Sequence, residues 1–309
     1  MWAGRKAWIV RGTFWLLLPW LAVGAWAQAG TPMDCEQVWS VLEREGPGYA
    51  LTQVGSRVEA GWCVLIGASL RAKAADKPNI TVEGLRARRM TRDGAFRELE
   101  VQATGLRVTP KLGDTGMDAR LQSFLRLTVA DLAFLAHWNA QAEVLELRGV
   151  RLVVPGRMDL TLGADIAGAD PAAGLSVLLG AGLTSLDLRV VTDGTMARPV
   201  MEAVGERMLP EGAERFAAVT AAKPALAGIV TALPGDVFTS GKAGLDALVA
   251  ALPQAVGELT VALRSAAGIS AARLALAGLQ DDPSSAAALA RLLQGVAVTV
   301  NWRSGVAVE

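Results

Sequence analysis

The chain has 309 residues, of which 52% are hydrophobic and 19% are charged. This composition excludes a disordered protein and supplies enough apolar residues for one large domain or two smaller ones. Lys and Arg number 30 together, as do Asp and Glu, so the formal charge is zero. Nucleic acid is therefore not an expected partner, because affinity for it comes largely from phosphate neutralisation.

The N-terminal 27 residues carry the pattern of an export signal. An apolar run over about residues 13–25 follows three basic residues, Arg5, Lys6 and Arg11. Ala25-Trp26-Ala27 is a small-x-small cleavage site, and a cut after Ala29 fits nearly as well. The run is shorter than the about 20 apolar residues of a membrane span. We therefore expect residues 1–27 to be a cleaved signal peptide, the alternative being an uncleaved N-terminal anchor.

The mature chain is expected to be a soluble periplasmic protein. No later stretch reaches spanning length without a charge or a proline. Arg, Ala, Gly and Val, which have GC-rich codons, are abundant. This bias favours a bacterial source, for which export leads to the periplasm.

Cys35 and Cys63 are the only cysteines, and both lie in the exported part. An oxidising compartment favours a disulfide between them. The bond would close a loop of about 29 residues and stabilise the fold by roughly 3–4 kcal/mol in the chain-entropy model. It would join a short helix over about 34–45 to a strand that contains Trp62. Two cysteines and one histidine do not suffice for an ordinary structural zinc site.

From Tyr49 to about Ile166 the apolar residues recur with a period of two, which predicts antiparallel β-strands. Residues 139–142 and Pro155-Gly156 are the expected hairpin connections. A helix remains an alternative for residues 117–137, because the leucines there also fit a heptad.

Three of these strands share an interruption at a glycine, namely Gly84, Gly105 and Gly149. In each, the apolar phase slips by one residue at the glycine. A slip would turn the rest of the strand inside out unless a β-bulge took up the extra residue. We therefore predict bulges near the three glycines, in long and bent strands.

An arginine follows each of these glycines on the face opposite the apolar residues: Arg86, Arg107 and Arg151. One interpretation is a basic strip that contacts anionic groups of a ligand or an acidic partner. The other is an ordinary solvated face, on which the interspersed glutamates form cross-strand ion pairs with the arginines.

The second half of the chain is rich in alanine and mostly helical in pattern. Apolar spacing predicts helices over about 245–252 and 289–296, and Leu233-Pro234 and Leu252-Pro253 are expected helix ends. Strands are expected at about 183–192, 256–263 and 296–302. The predicted fold class is thus α+β. A curved, bulged antiparallel sheet over about 49–168 would belong to a β-rich region 28–168, and a mostly helical region 169–309 would pack on it.

The usual catalytic constellations are missing from the sequence. His137 is the only histidine, and there is no Gly-x-Ser-x-Gly nucleophile elbow, phosphate-binding loop or calcium loop. We expect no catalytic residue, no metal and no cofactor. The alternative is an envelope hydrolase that uses a pair of carboxylates which the sequence does not distinguish.

The strand patterns over residues 145–152 and 158–162 resemble those of AsmA-type envelope proteins, and the likeness extends over about 80–168. That family has elongated, curved sheets and is associated with lipid handling between membranes. The repeated bulge pattern, together with the lack of a catalytic constellation, predicts a soluble, exported, non-enzymatic envelope protein that binds an amphiphile on the concave side of its sheet or scaffolds an envelope complex. Lipid or another envelope protein is then the expected partner.

Overall fold

The computed structural model describes residues 49–72, 79–92, 95–109, 128–169, 181–195, 215–235, 237–238, 241–270 and 293–308. They form an eleven-stranded antiparallel sheet and two α-helices. The strands are β1 (Tyr49–Thr52), β2 (Gly55–Glu59), β3 (Trp62–Ala72), β4 (Asn79–Arg92), β5 (Ala95–Thr109), β6 (Ala130–Asn139), β7 (Val144–Val154), β8 (Met158–Ala167), β9 (Gly182–Asp193), β10 (Val256–Ser270) and β11 (Val296–Ser304). The helices, α1 (Arg215–Ala232) and α2 (Lys242–Ala251), lie between β9 and β10 in the chain.

The sheet is a meander in which strands next to each other in sequence also pair in space. The order is β1-β3-β4-β5-β6-β7-β8-β9-β10-β11, and β2 pairs with the remaining part of β3. The two predicted hairpin connections are confirmed. In the first, the Asn139 side chain accepts hydrogen bonds from the backbone of Gln141 and Ala142, both at 3.2 Å. In the second, Gly156 turns the chain with a φ of +69°.

The predicted α+β class, with an alanine-rich helical second half, is wrong. The only helices among the described residues are α1 and α2, of 18 and 10 residues, whereas β9, β10 and β11 have 12, 15 and 9 residues and extend the same sheet. β8 pairs with β9, so the sheet continues across the predicted boundary at 168/169. The three strands were expected, but they continue the sheet of the first half instead of interrupting a helical region. Their Leu and Val side chains are buried or partly buried on one face, and this burial outweighs the helical propensity of alanine.

Several local predictions for this half are confirmed. The three expected strands correspond to β9, β10 and β11. α1 ends directly before Leu233-Pro234, and α2 ends directly before Leu252-Pro253. By contrast, the helix considered for 117–137 is excluded over residues 130–137, which belong to β6. The predicted helix 34–45 and residues 289–292 of the predicted helix 289–296 lie outside the described residues. The predicted helix is wrong over residues 293–296, which form a turn and the first residue of β11.

One face of the sheet, the apolar face, forms the core. Leu65 and Leu99 are 0% and 1% exposed, and Leu145 and Leu147 from β7 are buried in the same cluster. At the other end, Val298 and Val300 of β11 pack with Leu245 of α2. The apolar face is therefore buried at both ends of the sheet.

Helix α2 protects the edge of the sheet along β11. A Cβ atom at Gly244 would come within 2.9 Å of the carbonyl carbon of Val300, so the helix backbone lies directly against the strand. The amide of Val298 donates a 2.9 Å hydrogen bond to the carbonyl of Val237, ahead of α2. A covered edge is protected against pairing with another strand.

Two of the three predicted bulges are present. Between Ala103 and Leu106, β5 has one residue more than β6, and Gly105 has a φ of +64°. Around Gly149, which has a φ of +57°, β7 has one residue more than β6 and than β8.

The bulge predicted at Gly84 is wrong as a register shift, because around Gly84 β4 stays in step with both β3 and β5. The register shift between β4 and β5 lies farther along, between Met90 and Thr91. The reason lies in the neighbouring strands. Gly67 in β3 and Gly105 in β5 both have positive φ at this level of the sheet. The apolar phase slips in all three strands together, so β4 gains no residue relative to β3 or β5.

Candidate functional site

The opposite face of the sheet carries polar side chains in continuous cross-strand rows. One row runs through directly opposite residues from β3 to β11: Val64, Arg86, Gln102, Ala133, Arg151, Thr161, Arg189, Thr260 and Asn301. Because directly opposite residues share a face, this row defines what we call the polar face.

A cavity of about 700 Å³ lies on this polar face, between Gly149 of β7 and Asn301 of β11. We call it the polar-face groove. One side is lined by Thr161, Arg189, Thr260 and Asn301. The other is lined by the next row, Gly163, Asp187, Ala262 and Thr299. The residues between these positions have their side chains on the apolar face and contribute backbone only.

Small residues create the depth of the groove. A Cβ atom at Gly149 would have no neighbour within 4 Å, and one at Gly163 would only reach ordinary contact with the Leu147 carbonyl, at 3.7 Å. Ala262 lies in the same row as Gly163, two strands away. Side chains of ordinary size at these positions would fill the groove.

Four uncharged polar groups line the groove: the hydroxyls of Thr161, Thr260 and Thr299 and the amide of Asn301. None of the four has a side-chain hydrogen-bond partner among the described residues. A hydroxyl both donates and accepts, and an amide does the same through two different atoms. The groove thus offers four uncharged groups of mixed donor and acceptor character to a ligand.

The charges at the groove are compensated within the protein. Asp187 accepts two hydrogen bonds from the guanidinium of Arg264, at 2.7 and 2.9 Å. Arg189 donates to Glu258 at 3.2 Å. The one carboxylate and the one guanidinium that line the groove are therefore each paired with an opposite charge.

All three arginines of the predicted strip have acceptors on the polar face. Arg86 donates to Gln102 from two nitrogens, one of them at 2.9 Å. Arg107 pairs with Glu83 at 3.4 Å, and Arg151 pairs with Asp159 at 2.6 Å.

Arg86 also lies over the ring of Trp62, with its guanidinium carbon 4.7 Å from the ring centre, and Arg88 does the same at 4.9 Å. This geometry is that of the cross-strand ion-pair alternative. Contact with an external anion stays a prediction.

No protein-family model and no curated protein matches this chain. The resemblance to AsmA-type envelope proteins therefore depends on the strand pattern alone. What the groove does has to be argued from its own residues.

His137 lies in β6 on the polar face, outside the groove lining. Its Nδ1 is 3.1 Å from a carboxylate oxygen of Glu98, its directly opposite neighbour. The same row continues through Glu146 and Asp165, and Asp165 accepts a 2.6 Å hydrogen bond from the hydroxyl of Ser185. Each of these acidic side chains contacts a polar or basic neighbour, and Glu146 is paired with Arg148.

One further arginine shows the effect of burial. Arg89 lies opposite the buried Leu99, on the apolar face, and desolvation there lowers the pKa of its guanidinium.

Within the described ranges, no three His, Cys, Asp or Glu side chains are close enough together to hold a metal ion. Neither α1 nor α2 is long and apolar enough to cross a membrane.

Cys63 is 2% exposed in β3, on the apolar face. Cys35 lies outside the described residues, so the predicted disulfide stays a prediction.

The sequence analysis missed the groove residues. Their only signal is local: in Leu160-Thr161-Leu162-Gly163-Ala164 the outward positions are Thr and Gly, where a solvated strand usually carries charged residues. The register that brings this pair beside Thr260 and Ala262 depends on strands about 100 residues apart in the chain.

Proposed function

We propose that the protein is a non-enzymatic binding protein, exported to the periplasm, which holds a polar ligand in the polar-face groove. The observation that carries this proposal is the cavity of about 700 Å³, lined by three side-chain hydroxyls and an amide that contact no hydrogen-bonding side chain among the described residues. Ligand sites in proteins have volumes of about 300–1,000 Å³. Elsewhere on this face, four arginines are each paired with a carboxylate: Arg88, Arg107, Arg148 and Arg151.

Binding fits the groove better than catalysis does. The only carboxylate in its lining is Asp187, which is held by Arg264. A hydrolase of the carboxylate type needs two acids that flank one bond of the substrate. The lining supplies one, and His137 lies two strands away from β8, where the main part of the groove begins.

The chemistry of the groove favours a polar ligand over an acyl chain. An acyl chain gains free energy by contact with large apolar side chains. The two rows that line the groove carry no large apolar side chain between β8 and β11, whereas Leu65, Leu99 and Val298 are buried in the core on the other face. Export is supported by the basic, apolar and small-residue pattern of residues 1–27.

A pair of glycine substitutions tests the proposal. Gly163→Val places a branched side chain in the groove, at a position with ordinary backbone angles. Gly55→Val is the control: it introduces the same side chain in β2, outside the groove, where a Cβ meets no neighbour within 4 Å. Valine suits a strand at both positions, so both variants should fold. Circular dichroism and the unfolding midpoint check this.

The measurement is native mass spectrometry of protein purified from the periplasm of the expressing cell. We expect an additional non-covalent mass on the wild type and on Gly55→Val, and its loss from Gly163→Val. An additional mass that Gly163→Val retains, or none on the wild type, overturns the proposal.

A further inference from the structure

We infer that the ligand of the polar-face groove is an uncharged oligosaccharide. The inference depends on the proposed function and specifies the chemical class of its ligand. Three properties of the groove support it: its charge balance, the kind of groups in its lining and its direction across the strands.

The charge balance disfavours an ionic ligand. Within the groove, Asp187 is neutralised by Arg264 and Arg189 by Glu258. Arg151, which is directly opposite Thr161, is neutralised by Asp159. The groove therefore has no net charge: an anion meets each arginine beside a carboxylate, and a cation meets each carboxylate beside a guanidinium. An uncharged ligand leaves all three pairs intact.

The lining suits sugar rings. Gly163 and Ala262 present small carbon groups on either side of Asp187, and the C–H face of a sugar ring can lie against either of them. Hydroxyls of Thr161, Thr260 and Thr299 and the Asn301 amide line the same groove. Sugar hydroxyls, like these groups, donate and accept hydrogen bonds at the same time. A ligand with few hydroxyls would leave these groups to water.

The groove runs across the strands, from β7 to β11. Neighbouring strands are about 4.8 Å apart, so the groove extends for about 19 Å, the length of a short oligosaccharide. The backbone groups of its floor are already used in the ladders that join β8, β9, β10 and β11. A peptide therefore has no free strand edge to pair with here, and recognition depends on side chains.

The test uses isothermal titration calorimetry with cellotetraose and maltotetraose as neutral probes and tetragalacturonate as an acidic probe. We expect at least one neutral probe to bind the wild type and Gly55→Val, and Gly163→Val to lose at least tenfold in affinity. Binding should change less than twofold between 50 and 500 mM salt, because no net charge is involved.

Thr260→Val, which replaces a hydroxyl by a methyl of similar size, should weaken binding by about threefold to tenfold, the value of one hydrogen bond. Thr81 is an exposed threonine of β4 outside the groove, and Thr81→Val is the matched control. Equal losses in the two variants would contradict a role of the groove hydroxyls.

Two failures are distinguishable. If Gly163→Val loses the co-purified mass but neither neutral probe binds, the groove function stands and the uncharged-oligosaccharide inference is wrong. Tighter binding of tetragalacturonate than of both neutral probes, with a steep salt dependence, also overturns the inference. If Gly163→Val retains the co-purified mass, the proposed function itself is wrong.

Discussion

Replacement of Gly149 by alanine should destabilise the protein through the backbone alone. Gly149 has a φ of +57°, and a Cβ atom there would meet nothing within 4 Å. No steric clash therefore contributes to the effect. A non-glycine residue in the left-handed region costs roughly 1–2 kcal/mol. Alanine also lowers the conformational entropy of the unfolded chain, which stabilises the folded state by about 0.4–1 kcal/mol.

The expected net loss for Gly149→Ala is about 1 kcal/mol. Gly163 is the matched control, because it lies in the neighbouring strand β8 with ordinary backbone angles and has space for a methyl group. Gly163→Ala should gain about 0.5–1 kcal/mol, so the two variants should differ by about 1.5–2 kcal/mol.

Urea unfolding measures this difference. With an m value of about 3 kcal/mol/M, the midpoints of the two alanine variants should be roughly 0.5 M apart or more. Gly149→Asn should lose less than Gly149→Val, because asparagine tolerates the left-handed region and a β-branched residue does not. Equal midpoints for Gly149→Ala and Gly163→Ala would refute the left-handed bulge in β7.

Three further substitutions test other parts of the fold. Leu99→Ala should cost about 2–5 kcal/mol in chemical denaturation, because the side chain is 1% exposed, and a loss below 1 kcal/mol would contradict its burial. Gly244→Ala should lower the free energy of unfolding by about 1–3 kcal/mol, since its methyl would collide with β11. Gly228→Ala in α1, where a Cβ has open space, should raise it by up to about 1 kcal/mol, and equal signs for these two helix glycines would contradict the packing of α2. Non-reducing peptide mapping should find Cys35 linked to Cys63, with a loss of roughly 3–4 kcal/mol on reduction, and two free thiols would disprove the pairing.

The strands were predictable because alternation survives in the sequence wherever one face is buried. β6 and β8 show it without interruption, from Ala130 to Trp138 and from Met158 to Ile166. The bulges at Gly105 and Gly149 were predictable for the same reason, because a slip in phase with an intact core needs an extra residue.

Gly84 shows the limit of that argument. A phase slip shows that the side chains of one strand change from one face of the sheet to the other. A bulge requires in addition that the strand has one residue more than its neighbour. Because Gly67 and Gly105 interrupt the neighbouring strands at the same level, the register of β4 stays regular around Gly84. Single-strand patterns do not contain this relationship.

The helical second half failed as a prediction because alanine content was taken as a signal for helix. The strand expected over 256–263 continues through Ala266 and Ala267 to Ser270, across an irregularity in register between Arg264 and Ile269. Helix propensity is a weak preference that tertiary burial overrides. The groove was not predictable from the sequence for a related reason. Its small residues come together only because β8 pairs with β9 and β9 pairs with β10.

The most direct test of the groove is a thiol-labelling footprint. Thr260→Cys places a thiol inside the groove, and Thr81→Cys places one on β4, at an exposed position outside it. With saturating neutral tetrasaccharide, we predict that labelling of Thr260→Cys slows by tenfold or more, while labelling of Thr81→Cys stays unchanged. Equal labelling rates of Thr260→Cys with and without a tetrasaccharide that binds would place the ligand elsewhere and contradict the account.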